Sequence, residues 1–107
     1  MKLFLDTADI TEITALNETG MVDGVTTNPS LIAKSGHNIL DTIAQICSIV
    51  KGPVSAEVTA TDFDGMMAEG LKLAKIANNV TVKLPLTENG LRACRALREE
   101  DILVNIT

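Results

Sequence analysis

Short apolar runs alternate along the whole chain with longer segments whose apolar positions recur every three or four residues. The short runs predict five β-strands, at 2–6, 22–28, 54–60, 80–84 and 102–107. The segments between them predict helices at 9–19, 29–35, 38–50, 61–77 and 87–101. Strict alternation of this kind predicts a parallel sheet whose strands are joined by right-handed helical crossovers.

Residues typical of helix starts and stops support this division. Asp9 and Glu12 have the spacing of a capping pair. The dipeptide Asn28-Pro29 is typical of an N-cap followed by proline at the first helical position. Thr61 and Asp64 are predicted to open the fourth helix.

Alternation within the strands separates an apolar face from a polar one, since neighbouring strand residues point to opposite sides. In the fourth strand, Val82 and Leu84 oppose Thr81 and Lys83. The same parity places further polar residues on that face: Asp6, Thr26, Asn28, Ser55, Glu57, Asn105 and Thr107. Both faces of an open doubly wound sheet pack against helices and should be apolar, whereas one face of a barrel lines its interior. The pattern therefore predicts strands 1–5 of a (β/α)8 TIM barrel, with the polar groups converging at the carboxyl ends of the strands.

The length of the chain is short for such a barrel. A closed barrel has eight strands and typically at least roughly 200 residues, whereas this chain has 107 residues. We therefore expect residues 1–107 to be the N-terminal portion of a single barrel domain, truncated after strand five; the alternative is a complete five-stranded domain. On its own, a half-barrel with two unpaired edges is expected to self-associate or fold only partly, and to be inactive.

Composition narrows the possible partners and the compartment. A net charge of −5 argues against a nucleic-acid or anionic-membrane surface. No stretch has the pattern of a signal peptide or the length of a membrane span. Cys47 and Cys94 lie far apart on the apolar sides of predicted helices, as expected of reduced core residues in a cytoplasmic protein.

Lys83 is the residue that the strand pattern explains least. A charged lysine in a buried strand costs several kcal/mol, on the order of the usual charge-burial penalty, unless it is paired. From the residues alone, Lys83 is either a structural ion pair with Glu57 or Asp6, or a functional amine. Asp6 can likewise serve as a cap for the first helix.

Five segments in order, from Met1 to Thr107, carry a resemblance to a known family: LFLDTAD, GVTTNPSLI, VSAEV, VKLPLTENG and VNIT. Together they resemble the transaldolase family, and most closely its compact branch, which also contains the fructose-6-phosphate aldolases. The resemblance implies a (β/α)8 barrel and a class I aldolase mechanism that uses no metal and no other cofactor.

The resemblance also implies a role for each matching residue. Lys83 would form the Schiff base, Asp6 would act as the acid/base at the carbon–carbon bond, and Glu57 would act through a bound water. The remaining matches would orient the water and the sugar hydroxyls: Asn28, Thr26, Asn105 and Thr107. The implied reaction moves a dihydroxyacetone unit from sedoheptulose 7-phosphate to glyceraldehyde 3-phosphate, giving erythrose 4-phosphate and fructose 6-phosphate.

Several alternatives stay open at this point. A glutamate at position 57 resembles the transaldolases, because the related fructose-6-phosphate aldolases carry Gln at this position. A receiver-type phosphoacceptor domain also has five βα units, and a non-catalytic half-barrel could keep the site residues as relics. By resemblance, the phosphate-binding groups would come from strands six to eight, and the full-length protein would be a homo-oligomer.

Overall fold

A computed structural model describes residues 1–107 as alternating strands and helices. The strands are β1 (Phe4–Asp6), β2 (Gly24–Thr26), β3 (Val54–Glu57), β4 (Val80–Leu84) and β5 (Leu103–Ile106). The helices are α1 (Ile10–Asn17), α2 (Pro29–Ser35), α3 (Ile39–Ile49), α4 (Phe63–Ala74) and α5 (Glu88–Glu99). Each predicted element is present, and β4 has the predicted bounds.

The five strands form one parallel sheet in the order β1-β2-β3-β4-β5. Each strand lies beside the next one in the sequence, and right-handed crossovers then place every helix on the same face of the sheet. This singly wound arrangement is that of a partial (β/α)8 barrel, which confirms the predicted fold class. A receiver-type domain has the order 2-1-3-4-5 instead, so the sheet order contradicts that alternative.

The helices cover the apolar face of the sheet. Val82 and Leu84 of β4 are fully buried there, together with Ala56 of β3 and Leu97 of α5. A second cluster packs β2 and β3 against α1 and α3: Ile13, Val25, Ile46, Val50 and Val54. Because one face of each strand is committed to this core, the opposite parity of side chains must point to the concave inner face.

Helix caps fix where the loops at the carboxyl ends of the strands begin. Asp9 accepts a hydrogen bond from the backbone N–H of Glu12 at 3.1 Å, as the capping pair predicted. The fourth helix departs from its prediction, because Asp62 rather than Thr61 or Asp64 is the N-cap and accepts from the N–H of Gly65 at 3.0 Å. The predicted extensions of β2 and β3 were also too long, since the residues after Thr26 and Glu57 already belong to the loops that lead into α2 and α4.

Both edges of the sheet are open. β1 pairs only with β2, and β5 pairs only with β4. Phe4 and Leu103, on these two edge strands, are 43% and 46% exposed on the inner face. Unpaired strand edges beside exposed apolar side chains favour association between chains.

We therefore expect the isolated polypeptide 1–107 to self-associate. Light scattering after size exclusion should give a mass above that of one chain, increasing with concentration, because intermolecular contacts cover the open edges. Replacing Phe4 and Leu103 together by Lys should shift the distribution toward the monomer. A sharply melting monomer of unsubstituted 1–107 at high concentration would contradict this prediction.

Both cysteines are free thiols at the margin of the core, as the sequence predicted. Burial raises the pKa of the Cys47 thiol to about 11, because desolvation disfavours the thiolate. A raised pKa keeps Cys47 protonated at pH 8, and its thiolate fraction is then about 100-fold below that of a thiol titrating at the ordinary value of 9.0.

Alkylation of Cys47 by iodoacetamide at pH 8 should be correspondingly slow in the folded protein and fast in urea; equal rates in the two states would contradict the burial of this thiol.

None of the helices combines the length and apolarity required to cross a bilayer.

Candidate active site

Two rows of side chains cross the inner face of the sheet. In the lower row, the strand register aligns Asp6 with Thr26, Thr26 with Ser55, and Ser55 with Thr81. The upper row lies two residues nearer the carboxyl ends of β3, β4 and β5, and aligns Glu57 with Lys83 and Lys83 with Asn105. The register thus brings predicted site residues from all five strands to one face, at the end of the strands where barrel active sites lie.

Lys83 lies in the middle of the upper row, between two polar neighbours. Its Nζ atom is 3.9 Å from Oε2 of Glu57, and the two side chains are 16% and 35% exposed. That separation is within ion-pair range but longer than a hydrogen bond. The amine is therefore electrostatically paired with Glu57 while its hydrogen-bonding capacity toward a substrate stays available.

Asp6 is held by β2 rather than by the lysine. Oγ1 of Thr26 donates a hydrogen bond to Oδ1 of Asp6 at 2.9 Å. Of the two carboxylates that the sequence offered as ion-pair partners for Lys83, Glu57 is the one in contact. Asp9, and not Asp6, caps α1. The second carboxylate oxygen of Asp6 has no hydrogen-bond partner within the chain.

Asn28 and Thr107 lie just beyond the carboxyl ends of β2 and β5. Asn28 is the N-cap of α2, and its Oδ1 accepts from the N–H of Leu31 at 2.9 Å. Its Nδ2 group remains available as a donor. Thr107 follows β5 and is exposed, and its backbone exchanges hydrogen bonds with Leu84 and Leu86 across to β4.

Asn105 contacts a residue that the sequence did not single out as part of the site. Its Nδ2 donates to Oγ of Ser55 at 3.3 Å, so that the bond passes over β4 from β5 to β3. Ser55 and Thr81 are both buried. Parity had placed Ser55 and Asn105 on the polar face. Their hydrogen bond, however, depends on the register of the strands, which the sequence pattern leaves open.

Glu69 is a second residue without a distinctive sequence signal. From α4 it accepts hydrogen bonds from the backbone N–H groups of Thr59 and Ala60, at 2.9 and 2.8 Å. These bonds fix the loop that immediately follows Glu57. A glutamate on the polar side of a helix gives no indication of such a contact.

The inner face forms a shallow groove lined by residues of the lower row and the edge strands, among them Phe4, Thr26, Ser55 and Leu103. A larger depression lies on the outer surface between α4 and α5, and is lined by Asp62, Asn89, Arg92 and Arg95. It contains none of the strand-borne polar residues. We place the candidate site at the inner face, because Lys83, Glu57 and Asp6 all lie there.

Fold and site together define a β/α-barrel protein whose inner lining carries a lysine beside carboxylates at the carboxyl ends of the strands, the position of active sites in barrel enzymes. The chain belongs to the transaldolase/fructose-6-phosphate aldolase family, whose model matches residues 3–107. This confirms the resemblance recognised in the five sequence segments.

Relatives with high identity support the same assignment. A probable transaldolase of Hyphomonas neptunium is 65% identical over 107 residues, which are 100% of this chain and 50% of that protein. Probable transaldolases of Bartonella bacilliformis and Dinoroseobacter shibae are 61% and 62% identical, each over 100% of this chain and 49% of their own length. The chain thus spans about half the length of the curated relatives it matches.

Proposed function

We propose that this chain contributes the nucleophile and the acid/base groups of a class I transaldolase. The reaction would transfer a dihydroxyacetone unit from sedoheptulose 7-phosphate to glyceraldehyde 3-phosphate, giving erythrose 4-phosphate and fructose 6-phosphate. The observation that carries the proposal is the placement of Lys83 on the inner face, 3.9 Å from Glu57, within the same polar lining as Asp6.

The proposed chemistry begins when Lys83 passes the proton of its ammonium group to Glu57 and its Nζ attacks the ketose carbonyl. Glu57 passes a proton through a water molecule to the hydroxyl of the carbinolamine, which leaves as water, and the protonated imine (iminium) remains. Asp6 then takes the proton of the hydroxyl on the departing carbon, the carbon–carbon bond breaks toward the imine, and an aldehyde leaves. The resulting enamine attacks the acceptor aldehyde while Asp6 returns its proton to the new hydroxyl, and hydrolysis of the imine releases the product ketose.

The positions of Glu57 and Asp6 suit two different proton-transfer steps. Glu57 is the in-register neighbour of Lys83, so it is the carboxylate within reach of water that is lost or gained at the imine. Asp6 lies on β1, on the far side of β2 and β3, and Thr26 orients it through a hydrogen bond of 2.9 Å. The proposal therefore assigns Asp6 to the hydroxyl of the departing carbon rather than to the amine.

We also propose that residues 1–107 are one portion of a single barrel domain. The phosphate-binding groups would then lie in the part of the relatives' length that this chain does not match. The chain has a net charge of −5, and Lys83 is the only cation among the inner-face residues of its strands. Sugar phosphates as partners, a homo-oligomeric full-length protein and a cytoplasmic location complete the proposal.

A complemented chain provides the test of this function. We define it as residues 1–107 fused to the portion of the Hyphomonas neptunium relative that this chain does not match. At 65% identity over the matched half, the packing surfaces of the two parts are expected to be compatible. Release of erythrose 4-phosphate should require both sedoheptulose 7-phosphate and glyceraldehyde 3-phosphate. If a cooperatively melting complemented chain gives no transfer while the full-length relative is active, the proposed function is wrong.

The second candidate function is fructose-6-phosphate aldolase, and residue 57 distinguishes the two. In the complemented chain, Glu57→Gln is expected to shift the ratio of transfer to free aldol cleavage about tenfold toward cleavage. The physical reason is that an uncharged amide beside Lys83 changes proton transfer at the imine. Product ratios measured with and without acceptor aldehyde test this, with Glu18→Gln as a carboxylate control, because Glu18 is exposed at the end of α1 and outside the inner face. A ratio unchanged by Glu57→Gln would count against the assignment of position 57.

A further inference from the structure

We propose that Thr81 is a positioning residue that takes over the hydrogen bond to Ser55 when Asn105 turns toward the substrate. The inference rests on the proposed function, in which Asn105 contacts the bound sugar. Three side chains on three neighbouring strands, Ser55, Thr81 and Asn105, would then exchange one hydrogen bond for another as the site fills.

The first observation is the hydrogen bond that Asn105 makes to Ser55. Its Nδ2 donates to Oγ of Ser55 at 3.3 Å. Asn105 is in register with Lys83, whereas Ser55 is in register with Thr81. The bond therefore runs diagonally over β4, from the upper row to the lower one, and engages the amide of Asn105 with Ser55 rather than with its in-register neighbour Lys83.

The second observation is an unpartnered hydroxyl beneath that bond. Oγ1 of Thr81 is the only buried side-chain nitrogen or oxygen atom in the chain without a hydrogen-bond partner, and Thr81 is 8% exposed. A buried polar group left unpaired is costly, and such groups in native structures require an explanation. The row around Thr81 is otherwise paired, since Thr26 bonds to Asp6 and Ser55 bonds to Asn105.

The third observation is that Thr81 and Ser55 are direct neighbours. They are in-register partners on β3 and β4 and share the inner face. Adjacent strands lie about 4.8 Å apart, so a rotation of one side chain can bring the two hydroxyls of in-register residues within hydrogen-bond distance. Thr81 is thus within reach of Ser55 once Asn105 withdraws.

The consequence is a gain in pairing when the substrate binds. Without Thr81, releasing Asn105 would leave the hydroxyl of Ser55 buried and unpaired, because Ser55 is 2% exposed. With Thr81, both hydroxyls become satisfied and Asn105 is free to bind a sugar hydroxyl beside Lys83. The hydroxyl of Thr81, which has no other partner, therefore lowers the free-energy cost of releasing Asn105.

Kinetics of the complemented chain test this exchange. Thr81→Val, which keeps the shape and removes the hydroxyl, should raise the KM for the donor ketose about tenfold, the effect of leaving one buried hydroxyl unpaired, and leave kcat within about twofold. Thr81→Ser retains the hydroxyl and should keep KM within about twofold of the unsubstituted chain. In a Ser55→Ala background there is no hydroxyl to rescue, so Thr81→Val should have no further effect. Thermal melting of Thr81→Val without substrate should be no lower than that of the unsubstituted chain, since the hydroxyl has no hydrogen-bond partner in the structure.

Three results would each overturn the inference: an unchanged KM in Thr81→Val, a Thr81→Ser variant as impaired as Thr81→Val, or an undiminished effect in the Ser55→Ala background. A crystal structure of the borohydride-reduced adduct gives an independent readout, in which Oγ1 of Thr81 should lie within hydrogen-bond distance of Ser55 Oγ; a retained Asn105–Ser55 bond contradicts it. Failure of the exchange alone leaves transfer and the Lys83 adduct intact. Loss of both in the unsubstituted complemented chain overturns the proposed function, and the exchange with it.

Discussion

Lys83→Arg in the complemented chain is expected to lower kcat/KM for transfer by a factor on the order of 10³ or more. Arginine keeps the positive charge next to Glu57 but stays protonated at any working pH and cannot form an imine. The ion-pair partner at 3.9 Å is therefore preserved while the nucleophile is removed. Steady-state assay of erythrose 4-phosphate release provides the measurement.

The matched control is Lys51→Arg, because Lys51 is exposed at the amino-terminal end of β3, away from the inner site. Lys51→Arg should retain full activity. Both variants should melt within a few degrees of the unsubstituted chain. If Lys83 served only as a structural ion pair, Lys83→Arg would keep most of its activity, and the proposed nucleophile would be wrong.

Asp6→Asn is expected to lower kcat by about 10² to 10⁴, the usual contribution of a positioned general acid/base. The amide oxygen can still accept the hydrogen bond that Thr26 donates at 2.9 Å, so the side chain should keep its position while losing its proton-transfer function. Formation of the imine at Lys83 precedes that proton transfer and should persist. Rapid-mix trapping should then show adduct accumulation without turnover.

A control for the loss of one carboxylate is Asp41→Asn, in the first turn of α3 and outside the inner face. This variant should keep its turnover. A variant Asp6→Asn with normal kcat, or one in which adduct formation and turnover fall together by the same factor, would remove Asp6 from the carbon–carbon bond step.

The sequence predicted which residues lie on the inner face, because the alternation of side chains along each strand determines it. Strands covered by helices on a single side must alternate, so the position of Lys83 opposite Val82 and Leu84 was readable from parity alone. The N-cap role of Asn28 was also readable, because an asparagine followed by proline has few other uses at a helix start. Both predictions are confirmed by the structure.

The errors and omissions have a different origin. Asp62 replaced Thr61 and Asp64 as the cap of α4 because several consecutive residues there can cap a helix, and the loop path held by Glu69 decides between them. The bond between Asn105 and Ser55 joins residues that are 50 positions apart. It depends on the register of three strands, which parity does not specify.

Lys83 shows where sequence and structure complement each other. From the residues alone, a structural pair with either carboxylate was favoured over a functional amine, and the resemblance to the transaldolase family reversed that preference. The structure places Glu57 beside the amine and separates Asp6 from it, which gives the two carboxylates different surroundings. Membership of the transaldolase/fructose-6-phosphate aldolase family makes the functional interpretation of this lysine the stronger one.

Borohydride trapping tests the central claim most directly. The complemented chain is incubated with fructose 6-phosphate, reduced with sodium borohydride, digested and mapped by mass spectrometry, with Lys83→Arg in parallel. We predict a stable sugar adduct on the peptide that contains Lys83 and none in Lys83→Arg. A folded complemented chain without an adduct, or one with the adduct on another lysine, would contradict the account.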